Sequence, residues 1–211
     1  IHESQSRLWE NQVGRSKEFC EWSLSLWKKF FPENMEGVDS DQLWRAVNLV
    51  EPGLIRVDAD EATYNLHIMI RYEIEKRLIS GDLQVDELPD AWDEMYEDFL
   101  GIRSTNSSLG VLQDIHWSMG AIGYFPTYTL GNLYAAQLLE AARSDLPDHD
   151  EQIRKGEFSH LLNWMRENVH SRGSLLEPAD LIEEATGSPP SPDAFVSYLS
   201  SKVESLYGVS A

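Results

Sequence analysis

Cysteine is almost missing from this chain, and positive charge is scarce. The single thiol, Cys20, has no partner within the chain, so an internal disulfide is excluded. One cysteine in 211 residues suits a reducing, cytoplasmic compartment. No apolar run comes near the roughly 20 residues that a membrane span needs. The opening IHESQSRLWE has no apolar core segment, which speaks against a secretory signal. Also missing are a glycine-rich phosphate loop, a G-x-S-x-G elbow, a cysteine cluster and a His-Glu-x-x-His helix. Lys and Arg together number 17 against 36 Asp and Glu, a formal charge of −19. A surface this acidic repels phosphate backbones and argues against nucleic acid as a partner. It attracts cations or the basic segments of a partner, and a salt-adapted surface explains it equally well.

What is present is a dense supply of large side chains. Seven Trp, eight Tyr and seven Phe stand among hydrophobic residues that make up 42% of the chain, enough to bury the core of one domain. Helical periodicity runs almost everywhere. Apolar residues at Leu8, Trp9, Val13, Phe19, Cys20, Leu24, Trp27 and Phe31 predict one long helix over 1–31, weakened at Gly14 and stopped by Pro32. Asp39 or Ser40 caps a second helix reaching residue 49. Residues 54–57 read as a short strand or an extended connection. Asp60 caps a strong helix over 61–80, and Pro89 starts the next, 90–100. Further helices are expected over 127–142, 150–169, 178–185 and 193–206. The class is therefore all-α, with residues 1–211 forming one helical region without repeat or internal linker. The chain opens without Met on a dense polar stretch, which suggests a piece of a longer polypeptide, a processed terminus being the alternative.

One stretch stands apart: residues 110–128, GVLQDIHWSMGAIGYFPTY. It sets Gln113, Asp114 and His116 beside Trp117, then Tyr124 and Tyr128. Its three glycines are too many for an unbroken helix. A proton carrier, an orienting carboxylate and phenol donors are the ingredients of a site. A buried turn in which His116 and Asp114 satisfy each other accounts for the same residues. Other candidates, taken singly, stay ambiguous. Glu3, on the first turn of a helix, complements the dipole whatever else it does. Arg56 either pairs with Asp58 or Asp60 or grips a substrate carboxylate with two prongs. His67, on an apolar helix face, reads as a core histidine.

Taken together, three segments resemble the signatures of one family. HESQSRLWENQVGRS at 2–16, IRVDAD at 55–60 and GVLQDIHW at 110–117 are similar to the HES-Q, I-R-x-x-A-D and G-x-x-Q-D-x-H-W motifs of the carboxypeptidase Taq family of zinc metallocarboxypeptidases. YNLHIMIRYEIEKRLISGDL at 64–83, GYFPTYTLGNLYAAQL at 123–138 and the closing YLSSKVESLYG extend the likeness over essentially the whole chain. The resemblance implies the C-terminal part of a larger catalytic domain. Its body would be helical and split by a deep cleft, as in neurolysin and angiotensin-converting enzyme, with zinc on the cleft floor. It implies release of single residues from peptide C-termini, with a broad preference that disfavours proline, and commonly a homodimer.

Carried across residue by residue, Glu3 matches the third zinc ligand, with cobalt or manganese as alternative ions. His2 and Gln5 belong to the same signature, His2 lining the site and Gln5 orienting Glu3. Arg56 matches the arginine suited to the substrate's terminal carboxylate, and Asp58 and Asp60 hold its loop. His116 matches the motif histidine, bonding substrate or oxyanion, with Asp114 or Gln113 fixing its tautomer. Gln113 also falls on the substrate-binding wall. Tyr124 and Tyr128 are the candidate phenols for the oxyanion, Tyr128 preferred. The zinc-binding histidines and the catalytic glutamate would lie upstream of Ile1 in the same protein, and the chain alone would be inactive. The alternative is a non-catalytic helical module that binds peptide C-termini or offers an acidic interaction surface.

Overall fold

A computed structural model of the chain describes residues 1–209, which form helices and turns with no strand among them. In chain order the α-helices are α1 (His2–Arg7), α2 (Lys17–Phe30), α3 (Ser40–Val47), α4 (Tyr64–Ser80) and α5 (Leu88–Leu100). They continue with α6 (Pro126–Asp145), α7 (His149–Arg154), α8 (Ser159–Asn168), α9 (Pro178–Thr186) and α10 (Asp193–Tyr207). The chain divides into two compact units. One is Ile1–Asn48 with the part from Leu130 onward; the other is Leu49–Thr129.

The first unit is built around α6. Leu138 and Leu139 of that helix pack with Leu8, Ile153, Leu161, Met165, Leu181 and Ile182, all of them buried. A smaller core joins Cys20, Leu43, Trp44 and Leu206. Burial pushes the Cys20 thiol up to about 11, so it packs as a small apolar group rather than reacting. Asp39 caps α3 through a reciprocal pair of bonds with Gln42, a purely local device.

Two expected helices are broken, each for a stated reason. The helix expected over 1–31 passes from α1 into a π-helical stretch, Leu8–Val13, and stops at Gly14. A Cβ at Gly14 would lie 2.8 Å from the Glu10 carbonyl oxygen. Ser16 then starts α2 afresh, its Oγ accepting from the Phe19 amide at 3.1 Å. The helix expected over 150–169 is cut at Gly156, which has φ +74°. Glycine takes that left-handed conformation without cost, and its missing side chain leaves room for Trp22: a Cβ there would stand 2.1 Å from Trp22 Nε1.

In the second unit α4 packs on α5. Ile70 and Ile74 meet Trp92, Tyr96 and Leu100, and a neighbouring cluster joins Tyr64, Ile68 and Phe125. The strand or extended connection expected at 54–57 is instead a 3-10 turn, Arg56–Asp58. The helix expected from residue 61 begins at Tyr64. Asp60 does hold its approach, accepting from the Ala62 and Thr63 amides at 2.9 Å each.

Candidate active site

Helix α4 carries the frame of the Leu49–Thr129 site. His67, Arg71 and Glu75 follow one another at intervals of four, so they share one face, and all three are buried. His67 Nδ1 lies 3.0 Å from Tyr96 Oη. Burial, then the charge of Arg71, pushes His67 down to about 4, which makes it the neutral core histidine its position suggested. Arg71 is fully enclosed and stacks 4.6 Å over the Trp92 ring. It donates to Asp114 Oδ2 at 2.6 Å and to Gln113 Oε1 at 2.8 Å. One turn on, Glu75 accepts from Trp117 Nε1 at 2.8 Å and from the Gly123 amide at 2.5 Å. The loop between Gly110 and Gly123 is thus hooked to α4 on both sides of His116.

Arg56 completes the frame. Its Nε and Nη2 donate to Asp114 Oδ1 at 3.1 and 2.7 Å, and its Nη1 donates to Tyr64 Oη at 3.2 Å. Of the two ion-pair partners named for it, neither Asp58 nor Asp60 is the one found: Asp58 is exposed, and Asp60 is spent on the backbone before α4. Burial raises the Asp114 pKa, but the hydrogen bond from Arg56 and the two guanidinium charges outweigh it, and the carboxyl ends below its ordinary value. The residue therefore stays ionised at neutral pH, clamped between two arginines.

His116 sits inside this frame. Its Nε2 lies 3.0 Å from Tyr128 Oη, and its ring packs 4.4 Å from that of Phe125. Burial lowers its pKa, with Arg56 and Arg71 acting in the same sense against Asp114, so the imidazole is neutral at pH 7. The tautomer contact expected from Asp114 or Gln113 is not formed. Asp114 Oδ1 is 3.8 Å from His116 Nδ1, too far for a hydrogen bond, and that nitrogen is buried without a partner. Gln113, expected on the substrate wall, has both ends committed to the loop. Its Oε1 accepts from the Arg56 amide at 2.9 Å, and its Nε2 donates to the Leu54 carbonyl at 3.0 Å. Of the two tyrosines, Tyr128 is part-buried, under the Arg56 cation at 5.0 Å, and Tyr124 is 48% exposed.

The other candidates lie in the first unit, on α1. Glu3 Oε1 accepts from Arg7 Nε at 3.1 Å, and the Glu3 side chain is 35% exposed. Its stem rests on bare backbone of α6. A Cβ on Gly131 would fall 2.8 Å from Glu3 Cγ and 2.9 Å from its Cβ. His2, one residue before, is exposed. Gln5, expected to orient Glu3, turns instead to His170 Nε2 at 2.9 Å and to Ser4 Oγ at 3.1 Å. Arg7 is the residue that holds Glu3. As a metal ligand Glu3 fits in kind: an accessible carboxylate on a fixed stem. Among the described residues no three His, Cys, Asp or Glu side chains come together to hold an ion, so Glu3 would be one ligand of several.

Residues 1–203 match the family model for carboxypeptidase Taq (M32) metallopeptidase. The chain belongs to that family. Thermostable carboxypeptidase 1 of Thermus thermophilus is 47% identical over 214 residues, covering 99% of this chain and 41% of the relative. Carboxypeptidase 1 of Bacillus subtilis is 43% identical, covering 98% of this chain and 41% of its own length. Among solved structures, the M32 carboxypeptidase from Deinococcus radiodurans superposes with a TM-score of 0.96 at 45% identity, covering 99% of this chain and 42% of that one. This M32 chain thus spans about two fifths of the length of the curated relatives it matches. The frame on α4 holds Arg56, Gln113, Asp114 and His116, while Glu3 lies in the first unit; Arg71, Glu75, Arg7 and Gly131 were not foreseen. A signal existed for the first two: an Arg and a Glu on the same face as Ile70 and Ile74 have no solvent to reach.

Proposed function

We propose that the whole protein is a metallocarboxypeptidase that releases single residues from peptide C-termini, with a broad preference that excludes proline. The observation that carries the reading is the neutral His116 bonded to Tyr128 at 3.0 Å, on a loop anchored by two buried side chains of α4. With its proton on Nε2 the imidazole donates to Tyr128 Oη, which leaves the phenol O–H, held in place, to donate to an oxygen that gains charge. Tyr128 is the proposed oxyanion donor, with Tyr124 as the alternative phenol. Arg56 is the proposed partner of the terminal carboxylate. Asp114 and Tyr64 engage three of its five N–H donors, which fixes the guanidinium in place and leaves two donors unassigned on a side chain that is 7% exposed.

Glu3 is the proposed metal ligand, with His2 beside it and the remaining ligands supplied from outside this chain. A bound zinc ion, or cobalt or manganese in its place, would polarise the scissile carbonyl and lower the pKa of a bound water. The chain alone, with one carboxylate for the metal, is expected to be inactive. Peptides with a free C-terminus and the remainder of the same protein are its proposed partners. A homodimer and a cytoplasmic location are proposed as well, the first supported by the family likeness and the second by the lone cysteine. The test is hydrolysis of N-blocked dipeptides by the whole protein. We expect release of the C-terminal residue, loss of activity with a chelator, recovery with Zn²⁺ or Co²⁺, and no cleavage of C-terminal amides. Metal-independent hydrolysis, or equal cleavage of amides, overturns the reading. Binding of peptides without hydrolysis favours the non-catalytic module.

A further inference from the structure

We propose that His149 and His160 form an exchangeable binding site for a divalent transition-metal ion, joining α7 to α8. His149 is the first residue of α7 and His160 the second of α8. Their rings meet at a tilt of 59° across the Gly156 break, with His149 Nδ1 3.1 Å from His160 Nε2 and centroids 5.1 Å apart. Two metal–nitrogen bonds of about 2.0–2.1 Å at a tetrahedral angle hold their nitrogens roughly 3.3–3.4 Å apart. The pair needs to open by only a few tenths of an ångström to admit an ion.

Two further observations favour a ligand here over a plain hydrogen bond. His149 is 3% exposed, and burial followed by the Arg143 charge pushes its pKa down to about 4, so both its burial and its neutrality suit ligation. Both rings line a cavity of about 520 Å³ whose wall includes the carboxylates of Asp148 and Glu157. No third His, Cys, Asp or Glu joins the pair in ligating range among the described residues, so water would complete the shell and the ion would exchange. Imidazole pairs favour Cu²⁺, then Ni²⁺ and Zn²⁺. The formal charge of −19 raises the concentration of such cations at the surface.

The probe is Cu²⁺ alone, titrated into the purified chain at neutral pH, with electron paramagnetic resonance and the thermal midpoint as readouts. One equivalent is expected to bind, to show hyperfine splitting from two nitrogens, and to raise the midpoint because it binds only the folded form. His149→Gln and His160→Gln are each expected to weaken binding by at least about tenfold, the scale on which even outer-shell changes act. A control needs no variant: Cu²⁺ should broaden the NMR signals of His149 and His160 before those of the other four histidines. Equal broadening of all six, no saturable binding, or affinity unaltered in both histidine variants overturns the site.

Discussion

Asp114→Asn keeps the shape of the side chain and removes its charge. In the native structure that carboxylate lies 2.7 Å from Arg56 Nη2 and 2.6 Å from Arg71 Nε. The two guanidinium side chains are 7% and 0% exposed, so little water is at hand to replace the lost counter-charge. The new amide also turns NH₂ toward one of them, a donor facing a donor. Removing one partner of a buried pair costs about 3–5 kcal/mol. Each kcal/mol moves the midpoint of a chain this size by roughly 2–4 °C, so a loss of roughly 6–20 °C is expected. Urea and thermal unfolding followed by circular dichroism measure it. Acid supplies the internal control. The folded pKa of Asp114 is depressed, so its contribution is complete above the unfolded aspartate value of about 3.9 and is lost as pH falls through the lower folded value. The gap between wild type and variant should hold from neutral pH down to about 5 and close in stronger acid. A gap under about 1 kcal/mol at pH 7, or one that does not narrow in acid, refutes the argument.

Other expectations follow from the same geometry. In the whole protein, Tyr128→Phe should lower kcat by about 10²–10³-fold with little change in KM, while Tyr124→Phe does much less; the reverse order would move the oxyanion role to Tyr124. Gly131→Ala improves helix propensity by about 1 kcal/mol yet drives a methyl into Glu3. Metal content of the whole protein, read by atomic emission, should fall while the fold persists, and full retention would remove Gly131 from the support of Glu3. Gly156→Ala combines a left-handed backbone with a collision at Trp22, so urea unfolding should show a loss of about 2–5 kcal/mol. A loss under about 1 kcal/mol would mean that the turn relaxes freely. Glu75→Ala frees Trp117 Nε1 and the Gly123 amide together. It should raise hydrogen exchange across 110–123, and unchanged protection there would show that α4 does not hold the loop.

The helical class was legible in the chain because helix formation is local. Periodicity spans a few turns, and the Asp39–Gln42 capping box needs only four residues. Asp60 could be placed before α4 for the same reason. The motif residues Glu3, Arg56 and His116 were legible through likeness to a family, not through their own chemistry, which left each of them open to a plainer role. Tertiary structure alone decided what those residues touch. Arg56 was matched to aspartates two and four positions away, but its partner is Asp114, 58 residues along the chain. Gln113 and Asp114 were expected to serve His116 and are instead spent on two arginines. Trp22 occupies the space of the side chain that Gly156 lacks, a contact no local pattern shows. For the polar residues the energy comes from desolvated groups that must find a partner once buried. Which groups are buried together depends on how the helices pack, and no window of neighbouring residues contains that information.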